Sequence, residues 1–247
     1  MRSAIVAATL CAGTVAALGP AVALAQDGVV PEAPVVEDLH EPGVRSHFAF
    51  VDRPERARTR PDSSARVVTR LKLRTQDSTD ELLLVLARTT DERGRSWLRV
   101  RLPVRPNGTT GWVPETALGP LQPLSTWLQI DTRRQRLSLV RSGRVILRAR
   151  VGIGRRQWPT PRGEFYVRSR LEGYGQAGSA YGPVAFGTSA RSSKLTDWPG
   201  GGIVGIHGTN EPRLIPGRVS HGCVRLRNRD VLRLARLMPV GTPVTIQ

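Results

Sequence analysis

Two short segments near the end of the chain hold the residue types that could carry out covalent chemistry. His207 is followed by Gly208, and residues 220–226 have the sequence SHGCVRL, which contains His221 and Cys223. A thiol becomes an effective nucleophile when an imidazole takes its proton and a third group fixes that imidazole. Two of the chain's four histidines lie within 16 residues of Cys223. The pattern therefore predicts a cysteine nucleophile with a histidine base.

The residues around the two segments fit this prediction. Gly208 and Gly222 allow the backbone to approach a substrate closely where side chains would block it. Several arginines surround the site in sequence, namely Arg213, Arg218, Arg225, Arg227 and Arg229. Because positive charge stabilises a thiolate, we expect these arginines to favour the thiolate of Cys223 over its thiol.

Two other interpretations of the cysteine remain. A lone cysteine is most often a small buried apolar residue with a structural role. His207, His221 and Cys223 also offer the nitrogen and sulfur ligands that zinc prefers. Three ligands in so short a stretch, with only Glu211 as a nearby carboxylate, make a poor metal site. We therefore expect neither a metal nor a cofactor, and a chelator would separate the two chemistries.

Composition limits the class of protein. The chain has 247 residues, two cysteines, 39% hydrophobic residues and a formal net charge of +17. These values suit one large or two small globular domains and exclude a collagen-like or wholly disordered chain. Apart from the N-terminal segment, no apolar run approaches the roughly 20 residues that span a bilayer, which excludes a polytopic membrane protein.

The first 25 residues have the pattern of a secretory signal. Arg2 is positively charged, residues 4–18 are apolar and small, and residues 23–25 (ALA) fit a cleavage site. We expect an exported protein of the periplasm or cell wall, with no transmembrane segment after cleavage. Retention of the segment as an anchor is the alternative. Cleavage removes Cys11 and leaves Cys223 as the single thiol.

Positive charge is concentrated in the second half of the chain. Residues 121–247 contain 21 basic and 6 acidic residues, whereas residues 26–120 contain 15 and 14. Nucleic acid is the usual partner of so basic a domain, but an exported chain meets little of it. We therefore expect anionic envelope polymers or carboxylate-bearing substrates as partners, and no nucleic acid. A solvated surface that only aids solubility is the alternative.

The sequence pattern predicts a mainly β protein in successive segments. Residues 26–48, rich in proline and acidic residues, are expected to be a flexible tether. Short β-type runs in residues 49–118 predict a small β-barrel, and its Trp97 and residues 111–113 (GWV) resemble those of bacterial SH3-like domains. Residues 119–125 have the composition of a linker, and residues 126–247 predict a sheet-rich domain with one or two short helices. Within that domain, residues 142 and 143 (SG) predict a hairpin turn, and residues 230–237 predict a helix that has Val231, Leu234 and Ala235 on one face and Asn228 as its cap.

The C-terminal segment resembles a known family. Its residues 206–209 (IHGT) and 220–226 (SHGCVRL) resemble the signature of the L,D-transpeptidase catalytic domain, the YkuD family. Residues 158–165 (WPTPRGEF) and 181–190 also resemble segments of that family. Arg225 departs from the pattern, because many members have asparagine two residues after the cysteine. The resemblance spans residues 126–247 and implies a β-sandwich catalytic domain.

The resemblance implies acyl transfer through a thioester. Cys223 would attack a peptidoglycan stem tetrapeptide and release its terminal D-alanine. The side-chain amine of a second stem would then resolve the thioester and leave a 3-3 cross-link. Carbapenems, which acylate the thiolate of this family, are the expected inhibitors.

The resemblance also implies roles for individual residues. His207 would be the general acid and base, oriented by the carbonyl of Gly208, with Ser220 and His221 supporting the site. The N–H groups of Gly222 and Cys223 would stabilise the oxyanion. Substrate contacts are expected from Arg225, Thr209 and Asn210, and Arg225 suits the free carboxylates of stem peptides.

Two alternatives to transpeptidation stay open at this stage. Water in place of the acceptor amine would make the protein an L,D-carboxypeptidase or endopeptidase. A chain without activity would be a cationic wall-binding module, which forms no covalent adduct with an activated acyl donor. We also expect residues from about Leu124 onward to fold as a separate catalytic unit.

Overall fold

Alternating buried and exposed side chains organise the chain into β-strands. In residues 126–131 the side chains of Thr126, Leu128 and Ile130 are buried, and those between them are partly exposed. The computed structural model describes residues 35–173, 179–196 and 201–247. The expected signal segment, and residues 26–34 of the expected tether, lie outside this described part.

The described residues form eighteen strands and one α-helix. They are β1 (Glu37–Asp38), β2 (Ser46–Phe50), β3 (Arg56–Arg58), β4 (Val67–Arg70), β5 (Leu82–Thr90), β6 (Ser96–Arg101), β7 (Thr110–Pro114), β8 (Gln122–Leu124), β9 (Thr126–Asp131), β10 (Arg136–Arg141), β11 (Arg144–Arg150), β12 (Gly152–Gly154), β13 (Gly163–Glu172), β14 (Val184–Arg191), β15 (Ile203–His207), β16 (Gly217–Ser220), β17 (Val224–Arg225), α1 (Asn228–Leu237) and β18 (Pro243–Ile246). The mainly β fold class is confirmed. None of the helical segments described is long and apolar enough to cross a bilayer.

The N-terminal sheet has the strand order β4-β3-β7-β6-β5-β2-β8, with β1 paired to β5. Its core includes Leu83 and Val85 of β5, Leu98 and Val100 of β6, and Val113 of β7. These side chains lie on the faces of their strands that pack together, and the opposite face of β5, which carries Leu82 and Leu84, is buried as well. The resemblance to SH3-like domains stays a prediction.

The structure differs from the predicted tether and linker. Within residues 35–48, Leu39 and Phe48 are buried, and β2 pairs with both β5 and β8. Residues 122–124 of the predicted linker form β8. The acidic composition suggested little burial, but a few apolar side chains suffice when a neighbouring strand edge supplies hydrogen bonds.

The C-terminal sheet has the order β11-β10-β9-β18-β13-β14-β15-β17-β12-β16. Ser142 and Gly143, with φ of 47° and 74°, form the turn between β10 and β11, which confirms the predicted hairpin. Helix α1 buries Val231, Leu234 and Ala235 against the sheet, as its sequence predicts. The predicted cap is wrong, because Arg227 holds the N-cap position and Asn228 lies one residue inside the helix.

The two sheets share a buried contact. Tyr166 of β13 is fully buried in a cluster with Phe48, Leu82, Leu84 and Leu124, and its hydroxyl donates to the Leu82 carbonyl over 3.2 Å. Beside it, the Arg168 guanidinium forms two hydrogen bonds with the Glu81 carboxylate, one of them 2.7 Å long from Nε to Oε1. The C-terminal residues therefore form part of a core that the N-terminal sheet completes. Independent folding of the segment after Leu124 stays a prediction.

We predict that Glu81→Gln destabilises the full chain by about 3–5 kcal/mol, because it leaves the Arg168 charge buried without a carboxylate. The hydrogen bonds and charge of Glu81 raise the pKa of Arg168 even though burial opposes this, so the arginine stays charged. Urea denaturation measures the loss. Asp131→Asn is the control, because its partner Arg134 is 80% exposed and such pairs contribute at most about 1 kcal/mol. Equal losses in the two variants would contradict the prediction.

Candidate active site

Strand pairing brings the cysteine and the histidine together. Strand β15 runs parallel to β17, with Ile206 opposite Val224 and His207 opposite Arg225. Cys223 directly precedes β17, and its Sγ accepts a hydrogen bond from the Gly205 N–H over 3.4 Å. A Cβ on Gly205 would lie 3.8 Å both from that sulfur and from Cδ2 of His207. Residues 16 positions apart in sequence thus flank the same point of the sheet.

A cleft of about 200 Å³ opens over this point. Of the predicted site residues, it brings together the side chains of His207, Ser220, His221, Cys223 and Arg225. The other lining residues are Ala180, Tyr181, Ser192, Leu195, Gly202, Ile203 and Val204. The structure thus places five predicted side chains around one cavity.

His207 is held as a neutral base. Its side chain is buried, and Nδ1 lies 2.6 Å from the Gly208 carbonyl. A carbonyl only accepts, so Nδ1 carries the proton and Nε2 keeps its lone pair. Burial lowers the pKa of His207 to about 4, a direction that the Arg225 charge shares and the Gly208 hydrogen bond opposes. The imidazole is therefore uncharged at neutral pH and able to accept a proton.

Close packing explains the glycine after this histidine. A Cβ on Gly208 would collide with Oδ1 of Asn228 and lie 3.0 Å from the Cα of Gly182. The same Asn228 oxygen accepts the Thr209 N–H over 2.8 Å. Because the Gly208 carbonyl orients the imidazole, this packing also fixes the base. Asn228 was expected to cap the helix, and it fixes the turn after β15 instead.

Burial dominates the chemistry of the thiol. It raises the pKa of Cys223, while the Gly205 N–H and the Arg225 charge lower it by less. The free protein thus holds a neutral thiol beside a neutral imidazole. Arg225 favours the thiolate, as its charge predicts, but desolvation disfavours the thiolate more, so the net shift favours the thiol.

Fewer arginines lie at the site than the sequence suggested. Of the five near Cys223 in sequence, Arg225 alone lines the cleft within the described residues. Arg227 donates to the Ile215 carbonyl over 2.7 Å, and Arg229 lies 3.6 Å from Asp230. Arg213 and Arg218 are exposed. These four side chains therefore contribute nothing to the lining of the cleft.

The turn before Cys223 uses one of the two predicted oxyanion donors. The Ser220 hydroxyl donates to the Cys223 carbonyl over 2.6 Å and accepts the Gly222 N–H over 3.1 Å. Gly222 adopts a φ of 122°, a conformation that other residues rarely take. In this structure the Gly222 N–H donates to Ser220, and its role as an oxyanion donor stays a prediction. The Cys223 N–H meets no acceptor among the described residues and remains the candidate donor.

Thr160 and Trp158 support this turn from the other side. The Thr160 hydroxyl accepts the Gly154 N–H over 2.9 Å and donates to the Gly222 carbonyl over 2.8 Å. The Trp158 ring lies 4.2 Å from the His221 ring, at 41°. The sequence pattern gave neither residue a role at the site. Their only signal was the motif of residues 158–165.

Arg225 lies where it can meet a substrate carboxylate. Its Nη1 is 3.1 Å from Oε2 of Glu211, whose side chain is 54% exposed. Its Nε is buried and meets no acceptor among the described residues. An ion pair with so exposed a carboxylate contributes little, so an incoming carboxylate can replace Glu211.

The other two predicted substrate contacts lie outside the cleft. Thr209 is buried, and its hydroxyl accepts the Glu211 N–H over 3.0 Å. Asn210 is exposed and does not line the cavity. The chain turns away from the cleft after Gly208, so Thr209 shapes this turn. For the metal interpretation, no three His, Cys, Asp or Glu side chains in the described residues converge on one point.

We predict that the rate of alkylation of Cys223 by iodoacetamide rises only at alkaline pH, with a midpoint above that of an ordinary cysteine. Burial raises the thiol pKa, and Arg225→Ala removes a charge that lowers it, so the variant's midpoint moves higher still. Stopped-flow or mass-spectrometric alkylation profiles measure both. Arg218→Ala, an exposed arginine outside the cleft, is the control. A midpoint near neutral pH would contradict the neutral pair.

We also predict that Thr160→Val slows acylation of Cys223 about tenfold. The change removes a donor to the Gly222 carbonyl and an acceptor for the Gly154 N–H, and so loosens the turn that presents the sulfur. Mass spectrometry of the acyl-enzyme over time gives the rate. Thr69→Val, at a partly exposed position in β4, should leave that rate unchanged. An unchanged rate in Thr160→Val would show that the turn is held by other contacts.

Comparison with known proteins identifies the family of the segment that contains this cleft. The family model described as YkuD, L,D-transpeptidase catalytic domain, matches residues 125–246. The Bacillus subtilis protein YkuD, whose name describes it as an L,D-transpeptidase, is 38% identical to this chain over 110 residues. These residues are 44% of this chain and 58% of that protein. The Bacillus subtilis protein YqjB, whose name also describes it as an L,D-transpeptidase, is 32% identical over 134 residues. These residues are 50% of this chain and 72% of YqjB.

Solved structures give similar matches. The crystal structure of an Enterococcus faecium L,D-transpeptidase is 26% identical, covers 49% of each chain and has a TM-score of 0.39. The chain spans 58% and 64% of the YkuD proteins of Bacillus subtilis and Bacillus licheniformis. With the matched segment enclosing the Cys223 and His207 cleft, the chain belongs to the L,D-transpeptidase family through a YkuD catalytic domain.

Proposed function

We propose that this protein is a cysteine acyltransferase that forms 3-3 cross-links between peptidoglycan stem peptides. The observation that carries the proposal is the pairing of Cys223 Sγ and the neutral, carbonyl-oriented His207 at one cleft. A neutral imidazole with Nδ1 protonated can take a proton at Nε2 only. That geometry suits activation of a neighbouring thiol.

The first step would be acylation. Nε2 of His207 accepts the thiol proton as Sγ attacks the carbonyl that follows the L-centre of a stem tetrapeptide. The Cys223 N–H donates to the oxyanion that forms. Collapse breaks the amide bond, and His207 returns the proton to the departing amine of D-alanine. The stem is then held as a thioester on Cys223.

The second step would transfer the acyl group to a second stem. The acceptor's side-chain amine attacks the thioester carbonyl, and His207 takes the proton that the amine loses. The C–S bond breaks, the new amide bond is the cross-link, and the proton returns to the sulfur. Both groups end the cycle neutral, the state in which burial already holds them.

Arg225 would hold a carboxylate of the stem peptide. It lines the cleft, and its present partner, Glu211, is largely exposed. A bound carboxylate would gain hydrogen bonds with a guanidinium that is already partly desolvated. The same charge lowers the pKa of Cys223, so Arg225 would also assist the thiol.

The setting of this reaction is part of the proposal. An exported chain with 21 basic and 6 acidic residues in positions 121–247 would be attracted to anionic envelope polymers. The N-terminal sheet would hold the catalytic cleft at the wall. Carbapenems would acylate Cys223, because they present a strained amide to the same thiol.

We predict that the protein without residues 1–25 converts a disaccharide tetrapeptide into a cross-linked dimer and free D-alanine. Cys223→Ala should abolish both products, and His207→Ala should slow them about 10²–10⁴-fold. His47→Ala, in the N-terminal sheet, is the matched control. Mass spectrometry of the products and of the carbapenem-treated protein provides the measurements.

Two outcomes would contradict the proposal in different ways. Release of D-alanine without a dimer would assign water as the acceptor and make the protein a carboxypeptidase. No mass increase on Cys223 with either donor would leave a cationic wall-binding module.

A further inference from the structure

A loop of the N-terminal sheet reaches the catalytic cleft. Between β6 and β7, Arg105 extends across to two segments of the catalytic domain. Its Nη2 donates to the carbonyls of Ser192 and Gly201, each over 3.0 Å, and its Nε lies 3.3 Å from the Ser192 carbonyl. Nη2 also lies 3.5 Å from the Leu195 carbonyl. One guanidinium thus ties together backbone that is separated in sequence.

Asn107 of the same loop makes a second attachment. Its side-chain amide donates to the Arg191 carbonyl over 2.8 Å and accepts the Arg191 N–H over 2.9 Å. The Arg191 side chain in turn contacts the loop between β6 and β7, since its Nε and Nη2 donate to the Pro103 carbonyl over 3.3 and 3.2 Å. Its Nη1 donates to the Gly201 carbonyl over 3.2 Å. The two domains therefore exchange hydrogen bonds in both directions at this place.

The hydrogen bonds of Arg105 and Asn107 form a clamp on residues 191–195 and 201, and the backbone that this clamp holds is part of the cleft wall. Ser192, Leu195 and Gly202 line the cavity that contains Cys223. The Ser192 N–H also donates to the Gly202 carbonyl over 2.8 Å, which joins the two segments to each other. Hence Arg105 and Asn107 hold the residues that a bound peptide would contact, although they lie in the other sheet.

We propose that Arg105 and Asn107 are positioning residues that set the shape of the stem-peptide site, an inference that rests on the proposed function. Neither is among the groups that shift the pKa of Cys223 or His207. Arg105 and Asn107 act on the wall of the cleft, and they leave the pKa values of Cys223 and His207 unchanged. The N-terminal sheet therefore helps to form the peptide-binding site through its loop between β6 and β7.

The chemistry of the clamp requires arginine. A guanidinium presents five donors in a planar fork, so one group can serve the Ser192 and Gly201 carbonyls together. A lysine ammonium is a single point with a flexible stem, and it would satisfy these carbonyls less completely. Arg105→Lys should therefore restore only part of what Arg105→Ala loses.

The test measures peptide binding apart from thiol reactivity. In the full chain carrying Cys223→Ala, calorimetry should show that Arg105→Ala and Asn107→Ala each raise the Kd for a disaccharide tetrapeptide at least tenfold, with Arg105→Lys in between. In the chain that retains Cys223, the pH profile of iodoacetamide alkylation should be the same with and without Arg105→Ala. Arg99→Ala is the matched control, because it removes an exposed arginine from the same sheet.

Two results would overturn the proposal. An unchanged Kd in both variants would mean that the wall holds its shape without the clamp. A shifted alkylation profile in Arg105→Ala would mean that the residue acts on the thiol instead.

Failure of the proposed function would give a different result. The chain carrying Cys223→Ala alone would then not bind the tetrapeptide at all. In that event hydrogen exchange decides: faster exchange at residues 190–195 in Arg105→Ala, and not in Arg99→Ala, supports the clamp. Equal exchange in both variants overturns it.

Discussion

Desolvation of one thiol and one imidazole is the constraint on which the site depends. Burial raises the pKa of Cys223 and lowers that of His207 to about 4, so both groups stay neutral until chemistry begins. Neutral groups can be withdrawn from water at much lower cost than charged ones, which lets the sheet hold His207 buried and Cys223 half-buried at the cleft. The thiolate would form only as the proton moves to His207. Strand register and backbone hydrogen bonds therefore position Cys223 and His207.

The backbone around the pair is fixed from several directions. Gly208 orients the imidazole, Ser220 fixes the turn before Cys223, and Thr160 holds the Gly222 carbonyl. The N-terminal sheet adds the contacts of Arg105 and Asn107 with the cleft wall. The buried Arg168–Glu81 pair and Tyr166 join the two sheets nearby. The cleft is thus built from both halves of the chain.

The sequence predicted the features that depend on local pattern. The spacing of His207 and Cys223 predicted that the two side chains meet at one site, and both line the cleft. Residues 142 and 143 indicated a hairpin, and the apolar face of α1 indicated its packing. The family is confirmed over almost the whole segment that these motifs suggested.

Features that depend on contacts between distant residues could not be predicted in this way. Arg105 and Ser192 are 87 positions apart, and no local sequence pattern predicts their hydrogen bond. Of the five arginines near Cys223 in sequence, all in the described part of the chain, Arg225 alone lines the cleft, because successive residues of a strand or turn face different directions. The acidic segment before residue 48 joins a sheet because its strand partner lies in β5. The Gly222 N–H meets the Ser220 hydroxyl only once the turn has formed.

The protonation state of His207 tests this account most directly. Nitrogen-15 NMR of the imidazole in the resting protein, followed from pH 8 to pH 3, reports which ring nitrogen carries a proton. The neutral pair predicts a proton on Nδ1 alone at pH 7, with the second proton added near pH 4. Protons on both nitrogens at pH 7 would reveal an imidazolium paired with a thiolate, and would contradict the account.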